Sequence, residues 1–146
     1  MSELKAILLA DGVRPKVLAD ARRLVESEVQ AKGGISGLAI KAGYKAVQSV
    51  KPTLVPDALN NLLDRFVERL EPIFAQWQSG DGNQTFESYM VGRKREVANA
   101  LLGVTDDRAR SSSGVVKKTY EKLRPQGEKN VEAAVPGLAS LIQKYL

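Results

Sequence analysis

The residues best placed to do chemistry in this chain are lysines that follow serine–glycine turns. One run reads Lys32-Gly33-Gly34-Ile35-Ser36-Gly37 and leads into a segment carrying Lys41 and Lys45. The other reads Ser111-Ser112-Ser113-Gly114 and is followed by Lys117 and Lys118. Glycines let backbone N–H groups converge, and a helix N-terminus favours anions. A lysine about one turn further in adds a full positive charge. The pattern points to anion binding at Ser36, Gly37, Lys41 and Lys45, and again at Ser113, Gly114, Lys117 and Lys118. The first run lacks the spacing of a phosphate loop: no strand precedes it and no Lys-Ser/Thr pair opens its helix. The plainer reading is a pair of helix caps with lysines that only solubilise.

Three other charged clusters bear on partners. Arg108, Arg110, Lys117, Lys118, Lys122 and Arg124 form a basic segment relieved only by Glu121. Such a segment suits the phosphate backbone of a nucleic acid or another polyanion, although Tyr120 alone offers a ring for base stacking. Asp57, Asp64, Glu68 and Glu71 share one narrow stripe of a helix. Paired carboxylates can serve acid–base chemistry or a metal, but a convex stripe facing solvent suits neither. It reads as a solvated face, or as the complement of the Lys41/Lys45 face in another copy or a protein partner. The triplet Arg93-Lys94-Arg95, followed by Glu96, reads as helix surface.

Composition removes several chemistries. The 146 residues include no Cys and no His, which excludes disulfides, thiolate sites, cysteine nucleophiles and histidine-dependent triads. No metal and no cofactor is expected. An enzyme built on carboxylate, Lys or Tyr is not excluded, but no constellation stands out for one. No uncharged run approaches the roughly 20 residues of a membrane span, and the N-terminus shows no sorting signal, so a cytoplasmic protein is expected. The net charge of +5 falls in blocks. Residues 32–51 carry four Lys and no acid, residues 52–92 are acidic, and residues 93–146 are basic.

The elements that must position these groups are helices. Pro and Gly divide the chain, and each long segment between them has helical period. A short helix over 3–10 follows Ser2. Pro15 opens a helix to 31 with Val17, Leu18, Ala21, Leu24, Val25 and Val29 on one stripe. From Gly37 to Lys51, a broad arc of Ile35, Ala39, Ala42, Gly43, Ala46, Val47 and Val50 predicts a central helix closely approached by its neighbours. Residues 56–78 carry the most regular pattern, kinked at Pro72, which places Leu63, Phe66 and Leu70 at the centre of the core. A loop follows over 79–84. Thr85 caps a helix broken near Gly92, Thr105-Asp106-Asp107 looks like a further cap, and a helix over 115–123 ends at Pro125. The last helix runs from 128 to 145 and bends or divides at Pro136. With no period-two alternation, the fold is a single-domain all-α bundle of six to eight helices over residues 1–146.

Two stretches resemble each other. Ser36-Gly37, Lys41, Tyr44, Lys51-Pro52, Val55 and Ala58 parallel Ser113-Gly114, Lys117, Tyr120, Arg124-Pro125, Val131 and Ala134. Either two related helical hairpins arose by duplication, or the match is shared helix grammar. Several strings, among them Ile40-Lys41-Ala42-Gly43-Tyr44-Lys45, Val104-Thr105-Asp106-Asp107-Arg108-Ala109 and Val131-Glu132-Ala133-Ala134-Val135-Pro136, give the chain a resemblance to a family of small, uncharacterised all-helical bacterial proteins. That resemblance covers nearly the whole chain and implies a stand-alone domain, without an activity or site residues. The function expected is a non-enzymatic binding or interaction module. Its partner is either a nucleic acid or other polyanion, or the protein itself or another protein.

Overall fold

A computed structural model describes residues 3–80 and 82–146, leaving out the side chains of Ile35, Ser36 and Val47. The expected cap at Ser2 lies outside the described residues. Seven helices follow in order among those described: α1 (Glu3–Leu8), α2 (Arg14–Ala31), α3 (Gly34–Val50), α4 (Leu54–Gln78), α5 (Phe86–Val91), α6 (Lys94–Arg110) and α7 (Gly114–Gln143). The chain is all-α and has no strand among the described residues.

The filled core lies where α1, α4, α5 and α7 meet. Six residues are too few to form a stable helix alone, so α1 depends on burying Leu4 and Leu8 completely. Glu71 of α4 fixes it further by accepting a hydrogen bond from the Lys5 backbone N–H at 2.6 Å. The loop after α4 ends at Thr85, whose hydroxyl accepts from the Ser88 N–H at 3.1 Å and starts α5. That cap drives Phe86, Tyr89 and Met90 into the core. Phe86 meets Phe74 edge-on at 5.0 Å and Trp77 at 5.4 Å. The Trp77 indole N–H donates to the Gln84 carbonyl at 2.8 Å and closes the loop over the cluster. Gly92 ends α5 as expected.

On α4 the buried residues are Leu63, Val67, Leu70, Ile73 and Phe74. Val67, not Phe66, thus occupies the core position, and Phe66 is only half-buried. The apolar arc of α4 is wide enough to serve two sides, and Phe66 belongs to the second. Pro72 stays within one continuous helix.

Helix α3 is turned the opposite way from the sequence expectation. Gly37 is buried, Ile40, Lys41, Tyr44 and Gln48 are half-buried, and Ala39, Ala42, Gly43, Ala46 and Val50 are exposed. Leu38 and Val50 are 68% and 88% exposed. Far from central, α3 lies at the edge against α2 and α4. Its contact is made by Tyr44 near Glu26 and Arg22 of α2, where burial and the Glu26 charge raise the Tyr44 phenol above its ordinary pKa. Gly37 makes the tight start workable, because a Cβ there would come within 2.6 Å of the Lys32 carbonyl carbon.

Two other boundaries move. Helix α6 runs through Thr105-Asp106-Asp107 to Arg110, and α7 runs unbroken through Pro125 and Pro136. Proline normally ends a helix because it lacks an N–H and crowds the preceding turn. Here the residue before Pro125 is Arg124, which is anchored across to Asp106 of α6, and that tie holds α7 in line. It also uses the Asp106 carboxylate, which is therefore unavailable as a cap. The paired stretches consequently differ in form: Lys51-Pro52 lies beyond the end of α3, whereas Arg124-Pro125 sits inside α7.

Candidate binding clefts

The acidic stripe of α4 does not face solvent alone. Lys5 Nζ lies 2.9 Å from Glu68, Arg14 lies 3.2 Å from Asp64, and Lys51 lies 3.9 Å from Asp57. Arg14 also donates to the Asn60 side chain and carbonyl at 2.7 and 2.9 Å. With Glu71 capping α1, all four carboxylates are engaged within the chain. The stripe ties α1 and α2 to α4, with Glu68, Asp64 and Asp57 still about half exposed.

The sequence-predicted anion sites are separated. Helix α3 begins at Gly34, so Ser36 lies within the first turn instead of preceding it. Lys41 is half-buried and Lys45 exposed. At the other site Ser113 is the N-cap of α7, with extended backbone and no capping bond from its hydroxyl, and Gly114 is the first helical residue. Lys117 and Lys118 are both exposed. The first site rests on α2 and α4, and the second on α6. In the triplet, the Arg93 guanidinium stacks on the Tyr89 ring at 3.8 Å and Arg95 pairs with Glu128 at 3.3 Å.

Between α6 and α7 lies a polar seam that sequence reasoning missed. Arg124 grips both oxygens of Asp106, each at 3.0 Å, and also reaches Asn99 at 3.1 Å and Glu128 at 3.3 Å. The Tyr120 hydroxyl donates to Asp106 and stands 2.8 Å from the Thr105 hydroxyl. The Arg124 guanidinium holds the Asp106 carboxyl below the usual carboxylate range, against its partial burial. Burial, reinforced by the hydrogen bond to Asp106, raises the Tyr120 phenol. A cleft of about 330 Å³ opens beside this seam, lined by Asp106, Ala109, Arg110, Lys117, Tyr120, Glu121 and Arg124.

The second cleft is apolar, about 280 Å³, and lies among α2, α4, α6 and α7. Helix α2 contributes Val17, Ala21, Leu24 and Val25, and α4 contributes Leu59, Leu63 and Phe66. Leu101, Leu102 and Thr105 come from α6, and Val131, Ala134, Leu138 and Leu141 from α7. Thr105 is the sole lining residue with a polar side chain, and its hydroxyl is occupied at the seam. Gly137 lets α7 approach α2 closely beside the cleft, since a Cβ there would stand 2.5 Å from Leu24 Cδ1. Most of these residues were legible as apolar stripes; that the stripes leave an opening between them was not.

The arrangement defines a small all-α protein with two clefts, one apolar and one charged, that share no lining residue. Residues 4–146 match the family of unknown function DUF6918, and the chain belongs to that family. No curated protein and no solved structure matches it. No helix among the described residues is long and apolar enough to cross a membrane.

Proposed function

We propose that this chain is a non-enzymatic binding module whose working site is the apolar cleft, and that it takes a slender apolar chain there. The observation that carries the reading is an opening of about 280 Å³ with apolar side chains on all four walls. Apolar side chains left facing an open cleft forgo roughly 25 cal/mol for each Å² that a guest would cover. Water gains nothing there, because it needs two or more polar partners. An apolar guest removes the cost.

The lining runs from Leu59 to Leu70 on α4 and from Val131 to Ile142 on α7, about 16 Å along each helix at 1.5 Å per residue, an elongated shape that suits an extended apolar chain. The test is titration with a neutral fluorescent probe such as N-phenyl-1-naphthylamine. Saturable one-to-one binding is expected, and Ala134→Leu, which fills the opening, should abolish it while the protein stays folded. A probe signal that never saturates, or that ignores Ala134→Leu, refutes the reading.

A second reading concerns the basic turns. Exposed Lys117 and Lys118 stand just inside the start of α7, close to Arg110 and Arg108, and favour weak binding of a polyanion without sequence preference. Short single-stranded DNA should bind at about 50 mM salt and release as salt rises. Equal affinity for the Lys41→Ala, Lys117→Ala double variant would remove it.

A further inference from the structure

We infer that α3 is a surface anchor that lays its outward face along an anionic lipid bilayer. The face is built from neighbouring rows of residues four apart, which a helix stacks one above the other. Leu38, Ala42, Ala46 and Val50 form the central row and all are exposed, Leu38 at 68% and Val50 at 88%. Ala39 and Gly43, on one side of it, are exposed too, and a Cβ on Gly43 would meet no other part of the chain within 4 Å among the described residues. Lys41, Lys45 and Ser49 make the row on the other side. The Ser49 hydroxyl donates back to the Lys45 carbonyl at 3.1 Å, so even this polar residue turns its donor away from the face. Beyond the helix end, Leu54 is 41% exposed and extends the apolar strip.

Charge selects the occupant. Residues 32–51 carry four Lys and no acid. Lys51 lies 3.9 Å from Asp57, but Lys32, Lys41 and Lys45 have no carboxylate within ion-pair distance among the described residues. Glu26 faces Tyr44 on the packed side of the helix. An apolar strip edged by unpaired lysines fits the boundary between headgroups and acyl chains: the strip sinks in while the lysine stems reach back to the phosphates. A second copy fits it less well. From Leu38 to Val50 the strip is about 18 Å long and one helix, about 10 Å, wide. That is on the order of 200–300 Å², against about 800 Å² per partner in a stable interface. Two such faces would also set lysine against lysine, and the α4 carboxylates of a second copy already hold bases of their own. A nucleic acid would take the lysines and leave Leu38 and Val50 in water.

The test is co-sedimentation of the full chain with vesicles of phosphatidylcholine alone or of phosphatidylcholine and phosphatidylserine in equal parts. The mixed vesicles should bind it and the neutral ones should not. Leu38→Gln combined with Val50→Gln should weaken binding about ten-fold or more, through the apolar area left in water. Lys45→Gln should weaken it about five-fold, the worth of one charge near an anionic leaflet. These side chains are exposed, so an unchanged thermal midpoint is expected of each variant. Val115→Gln, at a position 78% exposed on α7, should leave binding as it was. Because the chain has no Cys, Val50→Cys accepts an environment-sensitive thiol dye at a single place. Its emission should move to the blue on the mixed vesicles, and that of the same dye on Val115→Cys should stay. Absence of vesicle binding, equal binding to both vesicles, or a dye on Val50→Cys that does not respond overturns the inference. Binding that needs Lys45 but ignores the Leu38 and Val50 changes also overturns it, and leaves α3 a site for polyanions. A concentration-dependent dimer that the double variant abolishes, without vesicle binding, would give the strip to a second copy instead. None of these residues lines the apolar cleft, so the outcome is independent of the reading proposed for it.

Discussion

The core around Phe86 and the cleft around Phe66 are built from the same kinds of residue, on helices that both regions share, yet one is filled and the other open. Helix α4 shows the contrast within a single element: Ile73 and Phe74 are 4% and 2% exposed and lie away from the opening, while Leu59 and Phe66 line it. The difference comes from what stands opposite. Short helices α1 and α5 plug the core side with Leu4, Phe86 and Met90, each 0% exposed. On the cleft side, long helices α2, α6 and α7 form most of the wall, and α1 adds only Leu8. Apolar periodicity marks a surface that avoids water; it does not distinguish a neighbour within the chain from a guest.

The largest test of that contrast is truncation on each side. Phe86→Ala should cost about 3–5 kcal/mol, as is usual for a buried aromatic, and lower the thermal midpoint accordingly. Phe66→Ala should cost clearly less, because its ring already faces an opening. Equal losses, measured by urea denaturation, would mean that the cleft is packed in solution.

Next in size is the polar tie that holds the cleft wall. Asp106→Asn should cost about 1.5 kcal/mol at neutral pH, the scale of a hydrogen bond to a charged group. The folded pKa of Asp106 is depressed, so its stabilisation is present above the unfolded value near 4. It is lost as pH falls through the folded value. Acid titration should therefore release the apolar probe before the aromatic near-ultraviolet signal of the core is lost. Loss of both signals at one pH would show that wall and core melt as a unit.

A smaller effect distinguishes the regions by the opposite kind of change. Enlarging a side chain in a packed core costs about 1–3 kcal/mol. Ala134→Leu in the cleft should instead be neutral or mildly stabilising, read as an unchanged or raised midpoint. Ala98→Leu, at a 0% exposed position, should pay the ordinary penalty. At the alkaline end, burial and the Asp20 hydrogen bond push the Tyr145 phenol up to about 12. Its contribution is complete below about pH 10 and fades as pH rises through that value. Tyr145→Phe should flatten this alkaline limb slightly.

What the sequence revealed followed from local rules. The period of α4, the Thr85 cap, the break at Gly92 and the loop over 79–84, so far as its residues are described, each depend on neighbours in the chain, and all are found. What stayed hidden depends on distant partners. Thr105-Asp106-Asp107 has the composition of a cap, but Arg124 and Arg69 take its carboxylates. Pro125 has the signature of a stop, overridden by the same Arg124. On α3 the apolar arc was traced correctly and its direction wrongly, because an arc does not say on which side the rest of the protein stands. Of the charged cleft, Lys117 is legible from sequence as part of a turn; its place beside Tyr120 and Arg110 comes only with the pairing of α6 and α7.

The position of Trp77 has an optical consequence. It is the one tryptophan in the chain, wedged between Phe74 and Phe86 with its indole N–H on a carbonyl, and it does not line the apolar cleft. Its emission is thus a private gauge of the aromatic cluster. It should redden when the protein unfolds and hold its colour while a guest enters or leaves the opening, so one cuvette can record loading and melting in separate channels.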